Sequence, residues 1–322
     1  MGAWLQRSRR LLTLAIGLAA LCGAATGAQT PVPKSRPWTP PRTEWGDPDF
    51  QGLWTYATMT PLERPREFAD KAVLSAEEAA EYERRTDGRQ RATNNTAGPD
   101  WWDPGTRALL DRRTSLIVDP PDGRLPETTP DAQARAARTA QLRKQRGEAD
   151  GPEEFGLNVR CLSWATAGPP MLPGVYNNNV QFVQTPQYVT LVNEMIHDAR
   201  IVPMNGRPHS AVPQWMGDSR GHWDGTTLVI DTVSFSEKTS VRGSDVHLHL
   251  TERFTRSGPD TIEYQFTMDD PTVWTRPWTV AFPLRRTDGP MYEYACHEGN
   301  APSMEGLLRA ARVAEREGAS PR

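Results

Sequence analysis

Five side chains able to move protons or hold anions fall within one eight-residue stretch: Asn193, Glu194, His197, Asp198 and Arg200. A desolvated neutral imidazole takes a proton, a carboxyl group returns one or orients the base, and a guanidinium holds a developing oxyanion. The stretch follows two short β-like runs, Val180 to Gln184 and Tyr188 to Val192, with Thr185-Pro186-Gln187 as the turn between them. If Met195 to Val202 is a third strand, period-two alternation places His197 inward with Met195, Ala199 and Ile201. It sends Asp198 and Arg200 to the other face. Downstream, Val246, Leu248, Leu250, Glu252 and Phe254 alternate on one face, so Glu252 points inward and needs a partner such as Arg200, Arg220 or a histidine. The expected catalytic set is therefore His197 as base, Glu194 or Glu252 as acid or orienting carboxylate, and Arg200 as oxyanion holder.

Other residues read as binding contacts. His209 follows Arg207-Pro208 on a loop that could close over a mouth, Glu293 and His297 share a face of an expected last strand over Met291–His297, and Asn178 precedes the hairpin. Ten of the 11 tryptophans follow the first 28 residues, more than a small barrel needs to fill its centre. Trp215 and the motif Trp274-Thr275-Arg276-Pro277-Trp278, a cation between two rings, favour a flat, ring-containing ligand. Metal chemistry finds less support. His247-x-His249 lies on a face shared with Thr251 and Arg253, and Glu194-x-x-His197 has helical metal spacing in a segment that does not read as a helix. No metal is expected, and without a Gly-rich phosphate loop, a Gly-x-Ser-x-Gly elbow or a CxxC pair no cofactor is expected either.

The elements that must position these residues begin with an export signal. Residues 1–28 carry Arg7, Arg9 and Arg10, then an apolar run from Leu11 to Ala20, then small residues ending in Thr26-Gly27-Ala28. That order is a secretory signal peptide and the run is too short to span a bilayer, so the expected location is periplasmic or secreted, with no membrane span. Losing those three arginines takes the formal charge from −3 to −6. Mild acidity without basic patches argues against a nucleic-acid partner. Cys161 and Cys296 then remain, and in an oxidising compartment they are expected to pair as a disulfide.

Residues 29–49 are a proline-rich leader, and a single domain is expected over 50–322 with helical insertions at about 75–92 and 130–147 and a helix after Pro302. Beyond Cys161 short alternating runs succeed one another: Leu228, Ile230 and Thr232; Ile262, Tyr264, Phe266 and Met268; Trp278, Val280, Phe282 and Leu284. The chain is thus mainly β, an antiparallel meander closing into a calycin-like β-barrel, with a sandwich as the alternative. Phe50-Gln51-Gly52-Leu53-Trp54 resembles the Gly-x-Trp first strand of lipocalins and other calycins. The runs SLIVDPPDGRLP from Ser115, NEMIHDARIVP from Asn193 and WMGDSRGHWDGTTLVIDT from Trp215, among others, resemble a family of secreted bacterial proteins. This second resemblance spans nearly everything after residue 28 and implies no chemistry, so function rests on the site. The residues point first to a cofactor-independent lyase or isomerase of a small aromatic or polycyclic molecule. The alternatives are a lipocalin-like binding protein without turnover and a structural envelope protein, and the sequence does not set the oligomeric state.

Overall fold

A computed structural model describes residues 38–93, 105, 107–145, 151–152, 155–239 and 241–316. The expected signal segment lies outside the described residues. The chain divides into a short unit, Met1–Trp38, and a main unit, Thr39–Arg322, to which everything below belongs. Order begins before Phe50: Asp49 N donates to Pro41 O at 2.9 Å and Thr43 N to Asp47 O at 2.9 Å, so residues 41–49 close a turn within the main unit.

Ten strands make one sheet: β1 (Gly52–Thr55), β2 (Ile117–Asp119), β3 (Asn179–Gln184), β4 (Tyr188–Asn193), β5 (Ala199–Pro203), β6 (Asp218–Asp224), β7 (Thr227–Val233), β8 (His249–Gly258), β9 (Thr261–Asp269) and β10 (Trp278–Arg286). The order is β5-β4-β3-β1-β10-β9-β8-β7-β6, with β2 joined to β10 beside this path, and every ladder is antiparallel. The sheet curls until it nearly closes into a barrel. Alternation drives it: Ile262, Tyr264, Phe266 and Met268 on β9 and Trp278, Val280, Phe282 and Leu284 on β10 are all fully buried. Each such side chain contributes about 1.5–3 kcal/mol of burial. The interior is filled by rings, with Phe254 stacked on Tyr264 at 4.6 Å and Tyr264 edge-on to Phe282 at 5.1 Å.

Closure has a topological constraint. The path contains nine antiparallel strands, an odd number, so its two end strands run in the same direction and cannot complete an antiparallel ring. Accordingly β5 and β6 meet by side-chain packing without a ladder. Gly221 on β6 makes the close approach: a Cβ there would sit 2.4 Å from the Met204 sulfur and 3.0 Å from Val202 Cγ1.

The helices are peripheral, as expected. In α1 (Ala76–Thr93) the capping box is reciprocal, Glu78 N donating to Ser75 Oγ at 3.2 Å and Ser75 N to Glu78 Oε2 at 2.8 Å. Helix α2 (Pro130–Gln145) is opened by Thr129, whose hydroxyl accepts from Ala132 N at 3.1 Å. Residues 146 and 147 lie outside the described residues. Among the described residues no helix is long and apolar enough to cross a membrane.

One expected strand is absent. Met291–His297 is an irregular segment leading into α3 (Cys296–Arg316), which starts before Pro302 instead of after it. The reason is that β10 is already flanked by β9 and β1, so no ladder position is open beside it. Cys161 and Cys296 form the disulfide across a sequence separation of 135, and it therefore ties the segment before β3 to the start of α3. Closing so long a loop restricts the unfolded chain strongly. Reduction, or the Cys161→Ser/Cys296→Ser double variant, is expected to lower unfolding stability by about 2–5 kcal/mol. Urea titration with and without reductant reads this, and an unchanged midpoint would contradict it.

Candidate functional site

The expected catalytic stretch folds differently from a continuous strand. Met195–His197 is a 3-10 turn between β4 and β5, with left-handed φ values of 49° at Ile196 and 47° at His197. Met195 and Ile196 are consecutive, yet both are buried, packing with Ala167, Cys296, Trp164 and Tyr294. A strand could bury only one of two neighbours, so the chain turns. His197 is thereby left exposed, and the alternation beyond it is inverted: Arg200 and Val202 face in, while Ala199 and Ile201 face out, Ile201 being 62% exposed. The expected inward His197 and outward Arg200 are both corrected. Asp198 also differs from the expectation, its Oδ2 being buried without a hydrogen-bond partner among the described residues, as is Asn193 Oδ1 across the ladder. Burial pushes the Asp198 carboxyl up to about 6, partly opposed by the charge of His197.

Glu194 holds this turn. Its carboxylate accepts from Asn179 Nδ2 and from Tyr292 N, both at 2.8 Å, joining β3 to the segment before α3. With burial, its charge pushes the Tyr56 hydroxyl far up its scale. Arg200 and Glu252 do come together, as the sequence suggested for Glu252's partner. Both Arg200 amino groups donate to the Glu252 carboxylate, Nη2 to Oε1 at 3.0 Å and Nη1 to Oε2. Tyr264 Oη donates to Oε1 at 2.7 Å and itself accepts from Met171 N at 3.1 Å. Burial pulls the Arg200 pKa down, but the Glu252 charge and hydrogen bonds more than offset it and the net shift is upward. Burial first and Glu252 second push Tyr264 well up. With Glu252 fully buried and its oxygens occupied, the network is a closed structural bridge. Among the described hydrogen bonds none joins it to His197.

The remaining candidates scatter. His209 does not close over a mouth: its ring binds Asp218 through Nδ1 at 3.1 Å and Asp231 through Nε2 at 3.0 Å, and Asp231 continues to His249 Nε2 at 2.5 Å. This chain pins the segment between β5 and β6 onto the outer face of β6 and β7. Arg276 pairs with Asp119 at 2.7 Å instead of lying between rings, and Trp274 and Trp278 contact each other edge-on at 5.8 Å. Cation–ring contacts exist elsewhere, with Arg256 and Arg286 over the Trp54 ring at 5.3 and 5.5 Å. Glu293 and His297 are exposed and share no strand. Asn178 is a loop brace, accepting from Gly174 N at 2.7 Å and donating to Gly174 O at 3.0 Å. Among the described residues no group of three or more His, Cys, Asp or Glu is placed to hold a metal.

What the barrel does offer is a cleft of about 1020 Å³ at one end, where β1, β4, β7 and β9 finish. Gly168, Pro169, Leu172 and Pro173 form its floor, and the loop they belong to is tied into the barrel by Met171 N donating to Tyr264 Oη. Apolar walls come from Leu62, Leu116 and Phe155, with Trp164 and Trp215 as rings. Four cations, Arg143, Arg160, Lys238 and Arg242, line it with no acidic side chain among the described lining residues. The size and mixed lining are those of a small-molecule site. Of the sequence-derived candidates only Trp215 lies here. Arg160, Trp164, Thr239 and Arg242 were missed because they sit on non-periodic loops that carry no motif. Comparison with family models, with curated proteins and with solved structures finds no match.

Two outcomes test this geometry. Arg200→Met strands the Glu252 charge inside the barrel, so it is expected to cost about 3–5 kcal/mol in urea unfolding, and Arg200→Met with Glu252→Gln is expected to recover part of that loss. A double variant no more stable than the single would contradict it. Asp198 has a folded pKa raised from 3.8 to about 6, so between these values the native state holds the proton more tightly than the unfolded chain. Stability then falls as pH rises through this window and flattens above it. Calorimetry of Asp198→Asn should show a Tm matching wild type near pH 4 and exceeding it near pH 7.5; the reverse order would contradict the assignment.

Proposed function

We propose that this is an exported small-molecule-binding protein that receives a ring-containing ligand in the end cleft. The observation that carries the proposal is the cleft itself, about 1020 Å³ and lined by apolar side chains and two tryptophans, above a barrel whose interior is packed with its own rings. Lipocalin-like binding is thus moved from the centre of the barrel to its end. Export is supported by the basic head and apolar run of residues 1–28 and by the pairing of Cys161 with Cys296.

The acid/base reading keeps one favourable observation, the Asp198 carboxyl at about 6 beside His197, but neither residue lines the cleft. One experiment separates the two. A thermal-shift screen of the purified protein against neutral aromatic and polycyclic compounds, followed by mass spectrometry of each stabilising compound, is expected to return those compounds unchanged. Trp215→Ala should weaken binding about tenfold, whereas His197→Ala should leave it unaltered. No stabilising compound would overturn the proposal, and a compound consumed by wild type but not by Asp198→Asn would replace it with catalysis.

A further inference from the structure

The loop joining β7 to β8 contains a two-residue turn. Val241 N donates to Ser244 O at 2.9 Å and Ser244 N to Val241 O at 3.0 Å, with φ of 54° at Arg242 and 92° at Gly243. Positive φ at both central positions is the type I′ pattern, whose first position favours Asn, Asp or Gly. Arginine there is strained. Trp274 Nε1 donates to Ser244 Oγ at 3.3 Å, anchoring the turn in the core. The turn therefore fixes the backbone of Arg242 at the rim of the cleft, where its side chain is exposed.

Arg242 does not stand alone. Arg160, Lys238 and Arg143 line the same cleft, and none of the four makes an ion pair among the described residues. Desolvation lowers the Arg242 pKa, and the charge of Glu63, outside the lining, opposes this. Arg143, Lys238 and Arg242 are exposed at the mouth and Arg160 is half-buried; like charges gathered at one cleft repel, and an incoming anion relieves that repulsion. Thr239, only 5% exposed, lies in the cleft wall beside these cations, and its Oγ1, closed to solvent, has no hydrogen-bond partner among the described residues. It is an unmet polar group in the wall that carries the charges.

We infer that the cleft selects ligands bearing an oxyanion, a ring-containing carboxylate in the first instance, with Arg242 and Arg160 as charge partners. The inference rests on the reading of the cleft as the binding site and adds the chemical class of the ligand. The rings of Trp164 and Trp215 take the apolar body, while the cations hold the charged end. Strain at Arg242 is then a cost accepted for function.

Calorimetric titration with 2-naphthoate and with 2-naphthylmethanol, which share a ring system and differ in charge, tests this. The carboxylate is expected to bind at least about tenfold more tightly than the alcohol, the gain of a charge-assisted contact. Arg242→Asn suits the turn, so its Tm should equal or exceed that of wild type while the preference falls to about twofold or less. Arg242→Lys, which keeps the charge, should retain most of it. A purely structural arginine would give no such separation of stability from binding. Equal binding of carboxylate and alcohol would overturn the inference and leave the cleft a binding site. Failure of both probes to bind would overturn the inference together with the site reading, and an unchanged preference in Arg242→Asn would remove Arg242 from the anion contact.

Discussion

The bond between Arg200 and Glu252 crosses the one place where the barrel has no backbone ladder. Arg200 sits on β5, Glu252 on β8, and β6 and β7 lie between them on the far side of the seam. An ion pair taken out of water gains little over an apolar pair of the same shape, because desolvation consumes most of the Coulombic attraction. Its value here is geometric. Two parallel hydrogen bonds fix distance and orientation across a join that packing alone would leave free to slide. Tyr264 then passes the constraint from Glu252 to Met171 N, so the same network that closes the barrel also locates the floor of the cleft.

Closure accounts for several polar residues that resemble functional ones. With nine strands on the path, the chain must leave β5 and travel back along the outside before it can enter β6 in the same direction. That return segment lies over polar strand faces and needs fastening. His209 supplies it by bridging Asp218 and Asp231, with Ser210 N donating to Asp218 Oδ2 at 3.0 Å. Inside, Gly221 removes the side chain that would hold the strands apart. A histidine flanked by carboxylates is thus a clasp in this fold.

The sheet was largely legible because strands β3, β4 and β7 to β10 announce themselves by alternating apolar residues, and the turn between β3 and β4 by Thr185-Pro186-Gln187. The inward position of Glu252 followed from the same count, as did the disulfide from the compartment implied by residues 1–28. The reading failed at Met195–His197, where two adjacent apolar residues both have a place to go, and alternation cannot register a satellite cluster built by residues as distant as Trp164 and Cys296. It failed again at Met291–His297, since local pattern carries no information on whether a neighbouring ladder is already occupied. The cleft was the least visible feature. Its cations come from α2, from the segment before β3 and from the β7–β8 loop, and only the closed barrel brings them to one end.

The arginines of this protein divide by what meets their charge. Arg200, buried inside the barrel, has a carboxylate on both amino groups. At the opposite end of the barrel, Arg256 and Arg286 lie over the Trp54 ring, and Arg256 also donates to Asp49 O at 2.8 Å. Each of these meets a group supplied by the fold. Those at the cleft rim gather on one cavity without an acid in its described lining, and one of them occupies a turn position that disfavours its own side chain. Among the described residues the lining of this open apolar cleft thus holds cations and no carboxylate, and a bound anion would meet them.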